Sequence, residues 1–494
     1  MLTINEAIEN AYRTIPDKAF LFYRESVFTY KDVYMLSVGL SEFFISKNIK
    51  AYDKICLLLP RVPELIISLL ASMHIGAVAA AVSYTSKADE ITKTIGDISP
   101  AAVIFHMRFK HLIKLDKDKQ ILISVGGDTE GSIPWSRACY ASLNRQDAEI
   151  GRNNIAYLNC TTGSSGTPKA ALATHDNIYW NSLSAIETFA MSSEDVLLCM
   201  FASFAHPHEL FVRSLYTGGS VVLLEEINPR TIAAAINQKS VTCMMGLAPM
   251  YKMLTEHCKG MKLDSLRIAE SGGMYTSGGL IRDFINIFGI PILSVWGSTE
   301  TTGIAIANRR DDYRDDGSMG KVCPYYEVRI TDDAGKDLGD KEIGELVFRG
   351  AAVVSGYYGV EQSLSFCNGW YHSGDLGFRD SQGYYYFVER KSGLLKVAGL
   401  KVYPLQVEIA LQAHSAVKET AVIGIEDRLR GEIPKAYIIP QEGVKVTERE
   451  LRDYCKTVLA DYMIPVIEFA EDLPRIGSGK IDKKTLKDKK RGCL

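Results

Sequence analysis

Four short stretches of this chain carry the residue types that handle phosphate. The first is TTGSSGTPK, residues 161–169. Its glycines let backbone N–H groups turn toward an anion, its hydroxyls donate hydrogen bonds, and Lys169 adds charge. It is not a Walker loop, because Gly163 and Gly166 stand too close and Pro168-Lys169 replaces Gly-Lys. A polyanion-binding loop and a flexible linker both satisfy this composition. The strand-like runs on either side, AYLNC and AALATH, favour the loop, since glycine loops next to strands commonly hold phosphates.

The second stretch is SVWGSTETTG, residues 294–303, where an apolar run ends in hydroxyls around one carboxylate, Glu300. A carboxylate so placed suits Mg²⁺, with the hydroxyls on phosphate. The third is GWYHSGDLG, residues 369–377. Asp375 in that glycine-rich turn can accept both ribose hydroxyls, or it can simply close an Asx turn. The fourth is PRIGSGKIDKK, residues 474–484, where Lys480 follows a Gly-Ser-Gly turn. By charge counting alone it is one more lysine of a basic tail.

Such groups need a scaffold. With 494 residues the chain is expected to build more than one core. Up to about residue 300, apolar β-branched runs (KICLLLP, AAVIFH, QILISV, SVVLLEE, PILSVWG) alternate with helix-like ones (ELIISLLASM, NIYWNSLSAIETFAM, PRTIAAAINQK). That alternation predicts parallel α/β layers with helices on both faces. From residue 319, two strand-like runs around DDAGKD predict a small antiparallel or barrel-like piece. After 392 the texture is that of a compact α+β unit, with ERKSGLLK (389–396) as the boundary. The expected fold is therefore α/β. A large N-terminal domain (1–391) of parallel α/β subdomains plus a small barrel-like subdomain precedes a small α+β C-terminal domain (392–494).

Composition narrows the function classes. Hydrophobic residues make up 47%, charged residues 23%, and the net charge is -3, which suggests no nucleic-acid surface. The ten cysteines form no C-x-x-C pair, so neither a zinc site nor a disulfide scaffold is expected, and a reducing cytoplasm fits. The first residues, MLTINEAIEN, have no apolar signal core, and the closing RGCL is neither a prenylation box nor a good peroxisomal address. LIISLLASMHIGAVAAAV (65–82) is long enough to raise a membrane span. His74, Gly76 and its small residues instead favour a buried helix followed by a buried strand.

Together, in this order and spacing, the four stretches resemble the adenylate-forming superfamily. It includes acyl- and aryl-CoA synthetases, adenylation domains of peptide synthetases, and beetle luciferases. The resemblance runs from FTYKDV (28–33) to KIDKKTL (480–486). It implies that Thr161, Thr162, Gly163, Ser164, Ser165, Gly166, Thr167 and Lys169 wrap the β- and γ-phosphates of ATP. Gly273 and Met274, in SGGM (271–274), would run along the adenine, with Trp296 and Gly297 beside it. Thr299 would meet the α-phosphate and Glu300 the Mg²⁺. Asp375 and Arg390 would hold the ribose. Lys480 would bridge ribose, phosphate and carboxylate. Gly399, with Lys396 close by, would line the thiol tunnel.

The implied reaction joins a carboxylate to the α-phosphate of ATP, releasing pyrophosphate, and then passes the acyl group to a thiol, releasing AMP. Three positions depart from the family pattern: Glu389 where a Gly usually precedes the ribose arginine, Ser392 at the hinge, and Lys401 where coumarate-type ligases have Gln. In FASFAHPHELF (201–211), Phe204-Ala205 replaces the Phe-Asp of amino-acid-activating members, so an α-amino acid is not expected. His206 resembles the pocket histidine that gates the carboxylate. Glu209 could meet a basic group of the substrate, with a surface or helix-capping place as the leading expectation. The expected partners are a small aryl or aliphatic carboxylic acid, ATP with Mg²⁺, and CoA. The alternative acceptor is the phosphopantetheine thiol of an acyl-carrier protein, no carrier being expected within this chain. A nucleotide-binding regulator without catalysis is a third reading, against which Glu300, Asp375 and Lys480 count. Neither the particular acid nor the oligomeric state is legible.

Overall fold

The structure, a computed structural model, describes residues 2–113, 120–144, 150–161, 169–360, 363–475 and 481–488. The chain divides into two units, Met1–Val328 with Phe348–His372, and Arg329–Val347 with Ser373–Leu494.

The first unit holds two sheets of the expected kind. In one, the strand order is Ile133–Pro134, Ile121–Val125, Ala102–His106, Lys54–Leu58, Val78–Ala81, Ile155–Thr161, Lys169–Thr174. Every neighbouring pair is parallel except the last, which is antiparallel. Parallel strands must be covered on both faces. Residues 65–82 obey this rule: they form the end of helix Pro63–His74 and strand Val78–Ala81, all buried. His74 is fully buried with Nε2 3.0 Å from Ser37 Oγ. Among the described residues no helix is long and apolar enough to cross a membrane.

The second sheet runs in parallel through Ala19–Tyr23, Ser220–Leu223, Val196–Cys199, Cys243–Gly246, Ile268–Ser271 and Ile292–Ser298. It continues antiparallel through Gly303–Ala307 and Ser318–Val322. Helices begin where the sequence offers caps. Thr174 and Asn177 form a capping box for His175–Phe189, and Asn228 caps Pro229–Lys239 with Pro at the first turn. Arg61, mostly buried, ties the stretch before helix Pro63–His74 to this sheet, donating to the carbonyls of Phe201, Leu224 and Glu225.

In the second unit, strand ends from Gly344–Gly350 and Trp370–Arg379 lead to Tyr385–Arg390, and the DDAGKD turn closes through a bridge between Thr331 and Asp337. One 3-10 turn, Lys391–Gly393, interrupts the chain where a boundary was expected. A five-stranded sheet follows, with Leu400–Val402, Leu395–Val397, Gly431–Pro440 and Val417–Asp427 in order and Val466–Phe469 beside Gly431–Pro440. Its core joins Leu395, Val402, Val422 and Ile438 to Leu411 and Leu451 of helices Pro404–Gln412 and Glu448–Val458.

Candidate active site

The site residues of the first unit gather where parallel strands end, the place where open α/β sheets bind ligands. Strands Ile155–Thr161 and Lys169–Thr174 pair with Thr161 opposite Lys169, so the ends of the phosphate-type segment are held one strand spacing apart. Thr162, Gly163, Ser164, Ser165, Gly166 and Thr167 lie outside the described residues. The flanking structure is a hairpin, not the strand-to-helix step of nucleotide folds that lend a helix N-terminus to phosphate.

Ile268–Ser271 and Ile292–Ser298 lie side by side, with Ser271 opposite Ser294. The chain leaves the former through Gly272, where a Cβ would come within 2.9 Å of Val295. Gly273 follows at φ 73, and Met274 is half-buried. On the neighbouring strand Trp296 stacks on Phe348, ring centroids 4.1 Å apart and planes 1° from parallel. Gly297 sits at a register shift, where a Cβ would lie 2.4 Å from the Gly303 carbonyl oxygen. Only glycine fits there.

The turn after this strand separates its hydroxyls by task. Thr301 Oγ1 donates to Gly303 O at 2.7 Å, and Thr302 Oγ1 donates to Ala352 O at 2.6 Å. Ser298 bonds Thr301. Thr299 makes no side-chain hydrogen bond to the described residues and is half-buried. Its hydroxyl is the one left for a ligand. Thr302 holds φ 59 while fully buried, a strained conformation for a β-branched residue and one that clusters at functional turns.

Glu300 is aimed by two phenols. Tyr357 donates to Oε1 at 2.6 Å and Tyr371 to Oε2 at 3.0 Å. Burial and the neighbouring carboxylate push both phenols above the usual tyrosine range, so they stay donors. Each carboxylate oxygen accepts one phenol and keeps lone-pair capacity for a hard cation. Among the described residues no group of three or more His, Cys, Asp or Glu could cage a metal. One carboxylate beside phosphate-type residues is what Mg²⁺ commonly uses, so the residues fit that ion.

His206 is half-buried, with Nδ1 3.3 Å from Asn159 Nδ2. Asn159 stands two residues before Thr161 and is buried, so the histidine and the phosphate-type hairpin share a contact. Glu209 is neither at the surface nor capping a helix. It is 2% exposed and meets Arg213 Nη2 at 2.8 Å, while Arg213 Nη1 reaches both oxygens of Glu270 at 2.8 and 3.0 Å. Burial pushes the Glu270 carboxyl up to about 7, Arg213 opposing and Glu209 adding to the shift. Burial and Arg213 hold the His208 imidazole down at about 3, and its Nδ1 lies 2.6 Å from Tyr157 Oη. Arg213 thus joins the turn after His206 to the strand that leads into residues 271–274.

In the second unit, Asp375 and Arg390 are cross-strand partners, with Arg390 Nε 2.6 Å from the buried Asp375 Oδ1. The turn before Asp375 is fixed by Ser373, which donates to Leu346 O, and by Glu345, which accepts the Gly374 N–H at 2.9 Å and the Lys391 ammonium at 2.9 Å. Glu389 accepts the Leu405 N–H at 3.1 Å, serving the first turn of Pro404–Gln412, whose own cap residue makes no such bond. That gives the Glu389 departure a physical reason. Ala398 and Gly399 both hold positive φ, 50 and 83, as a two-residue hairpin turn of the primed type requires. Lys396 and Lys401 flank that turn as exposed cross-strand partners. Lys480 lies outside the described residues.

Several of these groups (Tyr357, Tyr371, Asn159, Glu345 and the Arg213 cluster) escaped the sequence reading. Tyr357 is 57 residues from Glu300, and no local pattern marks the pair.

A fold of parallel sheets with phosphate-type residues at their strand ends, followed by an α+β unit, matches a known class. The chain belongs to the AMP-binding enzyme family, whose pattern matches residues 8–358, and the AMP-binding enzyme C-terminal domain matches residues 406–480. It is 28% identical over 463 residues to a feruloyl-CoA synthase from Amycolatopsis sp, covering 92% of each chain. Among solved structures, it is similar to an anthranilate CoA ligase in complex with anthranoyl-AMP, with TM-score 0.92, 25% identity, and coverage of 100% and 98%. It is likewise similar to the o-succinylbenzoate coenzyme A synthetase of Bacillus subtilis in complex with ATP and magnesium ion, with TM-score 0.85, 25% identity, and coverage of 96% and 98%.

Proposed function

We propose that the protein is an AMP-forming acid–CoA ligase. It activates a small aryl or aliphatic carboxylic acid with ATP, releases pyrophosphate, and transfers the acyl group from the adenylate to CoA with release of AMP. The observation that carries this reading is the turn 299–302, where an unspent Thr299 hydroxyl adjoins a Glu300 carboxylate locked by Tyr357 and Tyr371. Family membership over residues 8–358 and 406–480 supports it.

Carboxylate and triphosphate repel each other, so the first step needs positive charge and fixed orientation. Thr161 to Lys169 hold the β- and γ-phosphates, and Lys169 steadies them as they leave together. Thr299 donates to the α-phosphate. A magnesium ion, when bound at Glu300, offsets phosphate charge. Gly273, Met274, Trp296 and Gly297 flank the base, while Asp375 and Arg390 hold the ribose. His206, oriented by Asn159, closes the carboxylate end of the acid pocket. Lys480 bridges carboxylate and α-phosphate, and Gly399 with Lys396 lines the path of the thiol. We take 1–391 and 392–494 as the domains, with Ser392 as the hinge between half-reactions. We take the chain as cytoplasmic, since ten scattered cysteines with no C-x-x-C pair fit a reducing compartment.

Acid-dependent exchange of pyrophosphate into ATP across a panel of aryl and aliphatic acids tests the adenylation. Lys480→Ala should abolish most of it, a loss of roughly 3–4 kcal/mol by analogy with single oxyanion donors. Undiminished exchange would remove Lys480 from the mechanism. AMP release on adding CoA, compared with a phosphopantetheinylated carrier protein, identifies the acceptor. Release with the carrier alone would replace CoA, and no exchange with any acid would favour a regulatory nucleotide-binding protein.

A further inference from the structure

Tyr357 belongs to none of the phosphate-handling stretches, yet three parts of it touch three parts of the site. Its hydroxyl donates to Glu300 Oε1 at 2.6 Å. The Lys169 ammonium lies over its ring, 5.0 Å from the centroid. Its backbone bridges to Ala171 in the antiparallel sense. Two further bonds flank that bridge, Leu172 N–H to Gly356 O at 3.2 Å and Tyr358 N–H to Ala170 O at 2.7 Å. The side chain is 5% exposed and packs against Phe366, centroids 5.6 Å apart. Phe366 also packs against Tyr371, which holds the other oxygen of Glu300.

We infer that Tyr357 is a positioning residue with two separable tasks, aiming the Glu300 carboxylate through its hydroxyl and seating the Lys169 ammonium on its ring. It thereby couples the metal-holding and phosphate-holding sides of the nucleotide site. The inference rests on the reading of Glu300 and Lys169 as residues of that site. The chemistry favours one side chain for both tasks. A phenol donates without adding charge, so it orients a carboxylate and leaves it able to bind a cation. Its ring face attracts an ammonium without neutralising it, so the lysine keeps its charge for phosphate. A carboxylate or amide in this place could do one task but not the other.

The two tasks separate by substitution. Tyr357→Phe keeps the ring and removes the hydroxyl. Tyr357→Leu removes both. Tyr371→Phe removes the second phenol, which lies on Glu300 rather than on Lys169. ATP binding is measured by calorimetry across a magnesium titration and without magnesium, with AMP as the ligand lacking β- and γ-phosphates. For Tyr357→Phe and Tyr371→Phe we expect roughly a tenfold or greater rise in the magnesium concentration needed for half-maximal ATP affinity, the scale of one hydrogen bond to a charged group. Magnesium-free ATP affinity should stay within about twofold of the parent, because the ring contact persists. Tyr357→Leu should in addition weaken magnesium-free ATP binding by roughly threefold or more, the scale of one cation–π contact. AMP binding should change in none of them.

An unchanged magnesium requirement in Tyr357→Phe overturns the first task, and equal magnesium-free ATP affinity in the Phe and Leu variants overturns the second. Glu300→Gln and Lys169→Ala serve as controls. If they shift magnesium dependence and ATP affinity while the tyrosine variants do not, only the role of Tyr357 falls. If the controls themselves leave both unchanged, the reading of the nucleotide site falls, and this inference with it. Should Tyr357→Leu fail to fold, the near-isosteric Phe variants still decide the first task. Tyr357→Met, which has no ring but an unbranched side chain that fills irregular space, then decides the second: weaker magnesium-free affinity than the Phe variant upholds it, and equal affinity overturns it.

Discussion

Arg213→Met should be the most damaging single change outside the chemistry. Arg213 is fully buried, and its two partners, Glu209 and Glu270, are 2% and 1% exposed. Removing the cation leaves two carboxylates where water cannot reach them, and breaking a buried ion group this way costs about 3–5 kcal/mol. The cost should depend on pH, with a definite sign. The Glu270 carboxyl is pushed from 4.5 up to about 7 by burial, Arg213 holding it back, so the native state binds more protons than the unfolded state within that window. Parent stability from this group therefore falls as pH rises from the lower value to the upper and levels off above it. Without Arg213 the carboxyl rises further, and the window extends upward. The variant should lose most near pH ~8 and least near pH ~6, where Glu270 takes a proton. All four tryptophans, at 135, 180, 296 and 370, lie in the first unit, so their fluorescence during urea unfolding reports on it. The combined change E209Q/R213M/E270Q replaces the charges with neutral groups and should recover much of the loss while flattening the pH dependence. A loss under about 1 kcal/mol near pH ~8, or an equal loss at both pH values, would show that Arg213 does not neutralise the buried carboxylates.

Three smaller perturbations probe other parts of the account. Asp375→Asn should weaken ATP binding by roughly tenfold, the scale of one hydrogen bond to a charged group. It should barely shift the thermal midpoint, because the Arg390 side chain is 53% exposed and its ion pair is screened by solvent; a large loss of stability with unchanged ATP affinity would argue against the ribose role. Gly297→Ala should destabilise by about 1–3 kcal/mol and depress adenylation, since its Cβ would lie 2.4 Å from the Gly303 carbonyl; an alanine variant that unfolds at the parent's urea midpoint would contradict the close approach. Glu389→Gly, which restores the family's usual residue, should lose about 1 kcal/mol of protection at the Leu405 amide by hydrogen exchange, because that N–H loses its acceptor; an unaltered exchange rate would show that Glu389 does not serve the helix.

What the sequence made legible is local order. KICLLLP, AAVIFH, QILISV, SVVLLEE and PILSVWG read as strands from their β-branched runs, and each contains one. Residues 65–82 read as helix then strand for another reason, since His74, Gly76 and the small residues after them interrupt the apolar run. The phosphate-type motifs were visible because their residues are contiguous. The groups that orient them were not, because their contacts cross long stretches of chain. Tyr371 lies 71 residues from Glu300, and Glu270 lies 57 from Arg213. Glu209 was misplaced because charge on a short turn ordinarily means solvent, and nothing near it in sequence announces a buried guanidinium. Lys480 and the 162–168 segment keep the roles assigned from motif alone, since both lie outside the described residues.

In the proposed reaction a carboxylate oxygen attacks the α-phosphorus of ATP. An accepted acid labelled with a heavy oxygen isotope in both carboxylate positions, turned over with ATP and CoA and analysed by mass spectrometry, tests it directly. Attack by the carboxylate leaves one labelled oxygen in each AMP, none in pyrophosphate, and the other retained in the thioester. Label in orthophosphate with ADP as the nucleotide product, or unlabelled AMP, would contradict it.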